Sequence, residues 1–340
     1  MSAALSVTRS AHCLVPSHGV RRNKSLRVGR NRVAFRCSAE LSSGDTSSTS
    51  FRVLITGSTK GLGLAMAKDF LKNGDTVVVT SRDETRVTET VSELSKEFGD
   101  KKVFGIAADI AVPDDVASLT KFAETKMSKI DIWINNAGAN GYVYDNLSES
   151  DPAVLKEIVL TNSFGTLLCC RSAIRTMQNQ KSGGHVFNLL GAGSDGGVTK
   201  KYAAYGHTKA GMTQLTKTLA EEVKESNVGV HALSPGMVFT ELISSGRFAF
   251  GSQGRFFVNT LAEPPEVPAE NLVEKVRVFV GEEMGLSGAP ESNSSDLVSK
   301  FLKKESQTFE VLTPQVALSK ILRRFILGEG KDRYYPEKDE

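Results

Sequence analysis

The sequence predicts a doubly wound α/β fold, a parallel sheet with helices on both faces. Two observations carry this. From Phe51 to about residue 236, short Val- and Ile-rich runs alternate with amphipathic stretches. The first run, Val53-Leu54-Ile55, breaks into Thr56-Gly57-Ser58-Thr59-Lys60-Gly61-Leu62-Gly63, and a helical pattern follows through Leu64, Ala67, Phe70 and Leu71. Repeated strand–helix units require right-handed crossovers, which place helices on both faces.

In chain order, residues 1–39 contain no Asp or Glu but carry Arg9, Arg21, Arg22, Lys24, Arg27, Arg30, Arg32 and Arg36 among scattered serines. That is the composition of an organelle transit peptide. The other reading is a disordered basic arm for an anionic surface. Val33-Ala34-Phe35-Arg36-Cys37-Ser38-Ala39 resembles a plastid processing site, so a chloroplast address is expected. Residues 40–50 are Ser/Thr/Gly-rich and read as a linker. One domain is expected over 51–340. Its strands are expected at 52–57, 75–81, 102–107, 130–135, 184–190 and 228–234, and its helices at 62–73, 84–98, 113–128, 152–179 and 203–226. After residue 236 the rhythm breaks. A lid is expected over 237–268, where Phe239, Phe248, Phe250, Phe256 and Phe257 cluster, and a flexible insertion over 281–310. A last helix starts near Thr313-Pro314, since proline suits a first turn, and ends by Gly328 and Gly330.

The chain has 40% hydrophobic residues, enough for a sizeable core. Its 42 basic and 39 acidic residues nearly cancel, so bulk charge gives no case for nucleic acid. No uninterrupted apolar run approaches the ~18 residues of a membrane span, which leaves surface association with a membrane open. Cys169 and Cys170 are adjacent, without metal-ligand spacing, and read as small apolar helix residues in a reducing compartment; no metal is expected.

The glycine turn is how a buried parallel strand meets a helix whose N-terminus faces a phosphate. Helix-start N–H groups lack intrahelical partners, and glycines let a dinucleotide pyrophosphate approach the backbone. The second strand ends Thr80-Ser81-Arg82, where folds that bind NAD often place an acid on the ribose. Arg82 with Lys60 instead favours the 2′-phosphate of NADPH; two solvated surface cations are the other reading. A charge-assisted hydrogen bond of roughly 1.5–3 kcal/mol shifts cofactor preference tenfold or more. Asp109, ending the third strand, is placed either to accept from an adenine amino group or to cap the next helix. Asn135-Asn136-Ala137-Gly138, ending the fourth, either line a crossing cofactor or shape a turn. Tyr205 and Lys209 lie four apart on one helix face. A phenol of pKa near ~10 exchanges protons near neutrality only with help, and a nearby ammonium lowers its pKa by roughly 1–3 units. An ordinary exposed helix pair would look the same.

Thr56-Gly57-x-x-x-Gly61-x-Gly63, Asn135-Asn136-Ala137-Gly138, Asn162, Tyr205-x-x-x-Lys209 and Pro235-Gly236 stand in the order of the short-chain dehydrogenase/reductase family, which the chain resembles over about residues 51–240. The resemblance implies a Rossmann-like fold with Tyr205 as acid/base and Lys209 on the nicotinamide ribose, lowering the Tyr205 pKa. It also implies that Asn162 holds a water in a proton relay and that Asn136 lines the cofactor, with the glycine turn, Ala137, Gly138, Pro235 and Gly236 around it. One departure stands out. The family usually has a serine about thirteen residues before the tyrosine, whereas the sequence offers Gly191 or Ala192, with Ser194 as a substitute if the loop bends. Losing one such donor costs about 10²–10³ in rate.

Phe187-Asn188-Leu189-Leu190-Gly191-Ala192-Gly193-Ser194, Tyr205-Gly206-His207-Thr208-Lys209 and Asn259-Thr260-Leu261-Ala262-Glu263-Pro264 resemble plastid chlorophyll(ide) b reductases of the non-yellow-colouring-like type. That resemblance implies NADPH-dependent reduction of the 7-formyl group of chlorophyll b or chlorophyllide b. It further implies a homo-oligomer formed through the helices near 152–179 and 203–226, pairing with a membrane-bound reductase paralogue, and contact with light-harvesting complexes at the stromal thylakoid face. The phenylalanines suit an aromatic pocket for a flat macrocycle, or equally a lid packed on the core. Two other functions fit the same motifs: a reductase of another plastid carbonyl such as a 3-oxoacyl thioester, and a weakly catalytic cofactor-binding regulatory subunit.

Overall fold

The computed structural model describes residues 50–142, 144–244, 252–285 and 306–336. The transit-peptide and linker expectations therefore lie outside the described residues up to residue 49, as does most of the insertion. Seven strands form one parallel sheet in the order β3-β2-β1-β4-β5-β6-β7. They are β1 (Arg52–Thr56), β2 (Thr76–Ser81), β3 (Val103–Ala107), β4 (Ile132–Asn135), β5 (Gly184–Leu189), β6 (Val228–Ser234) and β7 (Thr308–Glu310). The order reverses between β1 and β4, and the crevice beyond the strand ends there is where such sheets bind ligands.

Alternation along the strands divides the core. Val53, Ile55, Val77 and Val79 pack on one face with α1 (Gly61–Lys72) and α9 (Glu266–Glu283). Leu54, Val78, Trp133 and Val186 pack on the other with α3 (Pro113–Met127) and α5 (Thr166–Gln178). Helix starts follow local chemistry. Asp83 caps α2 (Glu84–Phe98) by accepting from the Arg86 amide, and Asp151 accepts from the Ala153 amide ahead of α4 (Pro152–Val159). Cys169 and Cys170 are buried, and burial raises both thiols, Cys170 to about 12, so they are inert core residues.

The element expected over 152–179 is continuous but not uniform: α4 passes through a π-helical turn, Leu160–Gly165, into α5. By length and composition this 27-residue element could cross a membrane. Here Cys169, Ala173 and Met177 are buried in the core, while Val159, Phe164 and Leu167 stay exposed on the outer side.

Two elements depart from expectation. Residues 308–310, assigned to the insertion, form β7, which pairs with β6 through Ala232 and Thr308. α9 occupies 266–283, between the expected lid and insertion, because Ala269, Leu272, Val273, Val276 and Val280 repeat at helical spacing and bury against α1. The lid region holds α7 (Glu241–Ser244) and α8 (Ser252–Leu261); Phe248 and Phe250 lie outside the described residues. α6 (Ala203–Glu222) and α10 (Pro314–Leu327) complete the helices, the latter capped by Thr313 and stopped at left-handed Gly328.

Candidate functional site

The glycine turn is built by close approach. Gly57 has φ +64°, and a Cβ there would lie 2.8 Å from the Ala137 Cα. A Cβ on Gly63 would strike the Asn136 Nδ2 and the Gly57 carbonyl oxygen at 2.4 Å. Thr56 Oγ1 accepts from the Asn136 and Ala137 amides at 3.1 and 3.0 Å, and Asn136 Nδ2 donates to the Thr56 and Gly57 carbonyls at 2.9 Å. Asn136 thus clamps β4 onto the turn. The helix that follows starts with no side-chain cap on Lys60 and no acid in its first turn. Open N–H groups, a positive helix end and room made by missing Cβ atoms fit a dinucleotide pyrophosphate.

Other residues expected at the cofactor behave differently. Ser58 is fully buried: its amide donates to the Thr80 carbonyl (3.0 Å), its hydroxyl donates to the Ile55 carbonyl (2.6 Å) and accepts from the Thr80 amide (3.0 Å). It ties the turn to β2 and has no donor left for a ligand. Leu62 sends its side chain into the core, while Thr59 lies half-buried on the turn. Asp109 Oδ1 accepts from the Ala111 amide at 2.9 Å, and the N-cap of α3 is Val112. Of its two readings, capping therefore takes the form of a turn before the helix. Pro235 is buried, and Gly236 (φ +75°) lies where a Cβ would meet the Leu312 Cβ at 2.5 Å.

The structure does not present Lys60 and Arg82 as free cations. Lys60 donates to Glu241 of α7 at 2.6 Å and to the Tyr142 hydroxyl at 3.1 Å. Arg82 donates to Glu157 at 3.1 Å, and the Ser81 hydroxyl is held in a turn with Asp83. Burial opposes the charge on Lys60, but the Glu241 and Tyr142 contacts overcome it and raise its pKa. Exposed ion pairs are worth about 0–1 kcal/mol, so a doubly charged phosphate can displace either acid.

At the end of β5 the chain reaches Gly191, which faces Tyr205. A Cβ at 191 would lie 2.5 Å from the Tyr205 hydroxyl and 3.4 Å from the Lys209 Cε. Glycine therefore occupies the position beside the phenol. The Ser194 hydroxyl accepts from the Gly191 amide at 2.9 Å, closing a local turn. This geometry gives Ser194 a loop-shaping contact in place of the expected contact at Tyr205. Gly191→Ser is expected to lower turnover about tenfold or more, because the Tyr205 ring, stacked on a neighbour, has little room to yield; steady-state kinetics of the variant checks this.

The neighbour is Tyr202, whose ring stacks on Tyr205 with centroids 4.6 Å apart. Its hydroxyl accepts from Asn140 Nδ2 at 2.8 Å, and the same amide donates to the Leu242 carbonyl at 3.0 Å. Sequence reasoning singled out neither Tyr202 nor Asn140; the three-residue spacing of Tyr202 and Tyr205 was the available signal. Burial, then the Tyr202 phenol, raises the Tyr205 pKa above its ordinary value, which corrects the expected lowering. Lys209 donates to the Leu189 carbonyl at 2.8 Å and lies 5.7 Å from the Tyr205 ring centroid, and burial pushes it down to about 8. At neutral pH the phenol keeps its proton and Lys209 is mostly charged. Such a site is set to give a proton. Asn162 sits in the π turn, where Oδ1 accepts from the Ala139 amide (2.7 Å) and Nδ2 donates to the Ala139 carbonyl (2.8 Å) and Thr208 Oγ1 (3.0 Å). Its side chain joins the loop after β4 to α6; a Cβ on Gly138 would stand 3.5 Å from its Oδ1.

Comparison with known proteins agrees with this arrangement. Residues 52–247 match the short chain dehydrogenase family. The chain is 41% identical over 98% of its length, and 93% of the relative's, to the chloroplastic chlorophyll(ide) b reductase NOL of Oryza sativa subsp. japonica. It is 44% identical over 85% of its length, and 77% of the relative's, to the corresponding NOL protein of Arabidopsis thaliana. Among solved structures, a 3-ketoacyl-(acyl-carrier-protein) reductase from Brucella melitensis complexed with NADH superposes with TM-score 0.59 at 27% identity, over 69% of this chain and 92% of that one. The matched span runs from β1 to α7 and contains the glycine turn, Asn162, Tyr205 and Lys209, so the chain is an oxidoreductase that belongs to the short chain dehydrogenase family.

Proposed function

We propose that this protein reduces the 7-formyl group of chlorophyll b or chlorophyllide b to 7-hydroxymethyl with NADPH, the first step of chlorophyll b degradation. Likeness to relatives named for that reaction, along almost the whole of both chains in the rice protein, carries the substrate assignment. The chemistry follows from the site. The bound dinucleotide supplies the hydride. Tyr205, protonated at neutral pH, gives its proton to the oxygen of the former carbonyl. Lys209, buried and charged below about 8, steadies the negative charge that appears nearby. The glycine turn and the first turn of α1 hold the pyrophosphate. Lys60 and Arg82, in place of an acid after β2, take the 2′-phosphate by leaving Glu241 and Glu157.

Likeness to a 3-ketoacyl-(acyl-carrier-protein) reductase favours a second reading, the same chemistry on a 3-oxoacyl thioester. Gly191 beside Tyr205, where a donor to the substrate is usual, supports a third, a regulatory subunit with feeble catalysis. The exposed Val159, Phe164 and Leu167 support self-association through α4 and α5. Pairing with a membrane-bound paralogue, and with light-harvesting complexes on the stromal side of the thylakoid, belongs to the same proposal.

The test is the purified chain with chlorophyllide b, following loss of the formyl absorption with NADPH and with NADH, beside a 3-oxoacyl thioester. NADPH-dependent turnover of the pigment alone is expected. Turnover of the thioester but not the pigment selects the second reading, and tight NADPH binding without turnover selects the third. Reversing both charges, Lys60→Glu with Arg82→Glu, is expected to shift preference toward NADH by tenfold or more; an unchanged ratio removes these residues from the selector.

A further inference from the structure

The last helix faces the wrong way for a helix that only packs on its own domain. In α10 (Pro314–Leu327), Arg324 is buried with its guanidinium over the Phe256 ring, and Lys320 turns inward to Glu263. Leu318, Leu322, Phe325 and Ile326 lie at helical spacing on the opposite side, all exposed, with Phe325 at 74% and Ile326 at 75%. Charge is inside and the apolar stripe outside. Phe257 of the neighbouring lid helix α8 is also exposed, and Phe256 meets Phe325 with ring centroids 5.8 Å apart. The apolar surface therefore runs from α10 onto the lid.

We propose that this face docks the protein on an anionic lipid surface. Shape favours a bilayer over a protein partner. Phe325, Ile326 and Leu327 project as a convex end, which a soft interface accommodates and a packed protein groove must match atom for atom. Charge favours it too. From 314 to 333 the basic residues are Lys320, Arg323, Arg324, Lys331 and Arg333, against the acids Glu329 and Asp332, so the segment carries 5 − 2 = +3. Arg323 and Lys331 are exposed at the rim, level with headgroups when the stripe enters the acyl boundary. The lid connection gives docking a use, since α8 follows β6 and α7, the elements that approach the glycine turn, and an apolar substrate held in a membrane would meet the lid first. The inference goes beyond the proposed reaction.

The test is co-sedimentation of the full chain with phosphatidylcholine vesicles, with and without phosphatidylglycerol, at low and high salt. Binding is expected with phosphatidylglycerol and is expected to weaken with salt. L322Q with I326Q is expected to weaken it at least tenfold, with thermal midpoint and NADPH affinity unchanged; F325S is a second, independent probe. The basic residues of 1–39 are common to all these proteins, so the difference reports on the helix. Equal binding by wild type and variants overturns the proposal, as does no binding by wild type. Self-association that the variants abolish, without vesicle binding, assigns the face to a second copy instead. The assay uses neither pigment nor turnover, so its failure is separate from failure of the reductase reading.

Discussion

Tyr205→Phe is expected to lower reductase turnover by about 10²–10⁴-fold and to leave NADPH affinity unchanged. The substitution removes one hydroxyl and keeps the ring that stacks on Tyr202, so the fold around it has no reason to move. What disappears is the proton source beside Gly191. The pH profile separates this role from a packing role. Burial holds the phenol protonated through neutrality, so the wild-type rate is flat there. Lys209 loses its charge as pH rises through about 8, and the rate should fall above that point, well before an ordinary lysine would titrate. Lys209→Met should flatten that limb as well as slowing the reaction. Wild-type turnover by the Tyr205→Phe variant would exclude Tyr205 as the acid.

The sheet was legible because its strands are short, apolar and separated by helices of opposite pattern. All six strands expected before residue 236 form within two residues of their expected ends. β7 escaped because three residues, Thr308-Phe309-Glu310, carry no period of their own; pairing with β6 makes them a strand. α9 has a clear helical stripe, but it lies between two stretches whose composition reads as irregular.

Site residues were legible where function fixes identity and spacing, as at Tyr205, Lys209 and the glycines. They were less legible where a polar residue can face either way. Ser58 points into the sheet and Ser194 closes a turn, and only the backbone path decides that. The sign of the Tyr205 shift was likewise invisible. A lysine four residues away suggests lowering, whereas the density of packing around the ring decides the direction.

Acid should unfold this protein through a pair of histidines that take no part in the site. His185 Nδ1 and His231 Nε2 lie 3.1 Å apart, stacked among Phe187, Phe279 and Phe309. The Gln307 amide donates to His231 Nδ1 at 3.3 Å. His231 therefore carries its proton on Nε2 and donates to His185, which leaves both rings neutral. Burial pushes His185 down to about 4 and His231 to about 3; the nearness of His185 adds to the lowering of His231. Both folded values lie below the ordinary 6.5 of the unfolded chain. Above 6.5 the pair has no effect on the pH dependence. Below it the unfolded chain binds protons that the fold refuses, so stability falls as pH drops from 6.5 toward 4. For His185 alone the loss is roughly 3 kcal/mol, against a typical total of about 5–15 kcal/mol. Asp75 works the other way. Burial raises it to about 6, despite its contacts with Arg277 and the Phe51 amide, so it is protonated first in the folded state and offsets part of the loss. His231→Gln isolates the pair, because Asp75 is common to both proteins and cancels. Urea midpoints between pH 6.5 and 4.5 should fall steeply for wild type and about half as steeply for the variant. Parallel curves would place the acid lability elsewhere.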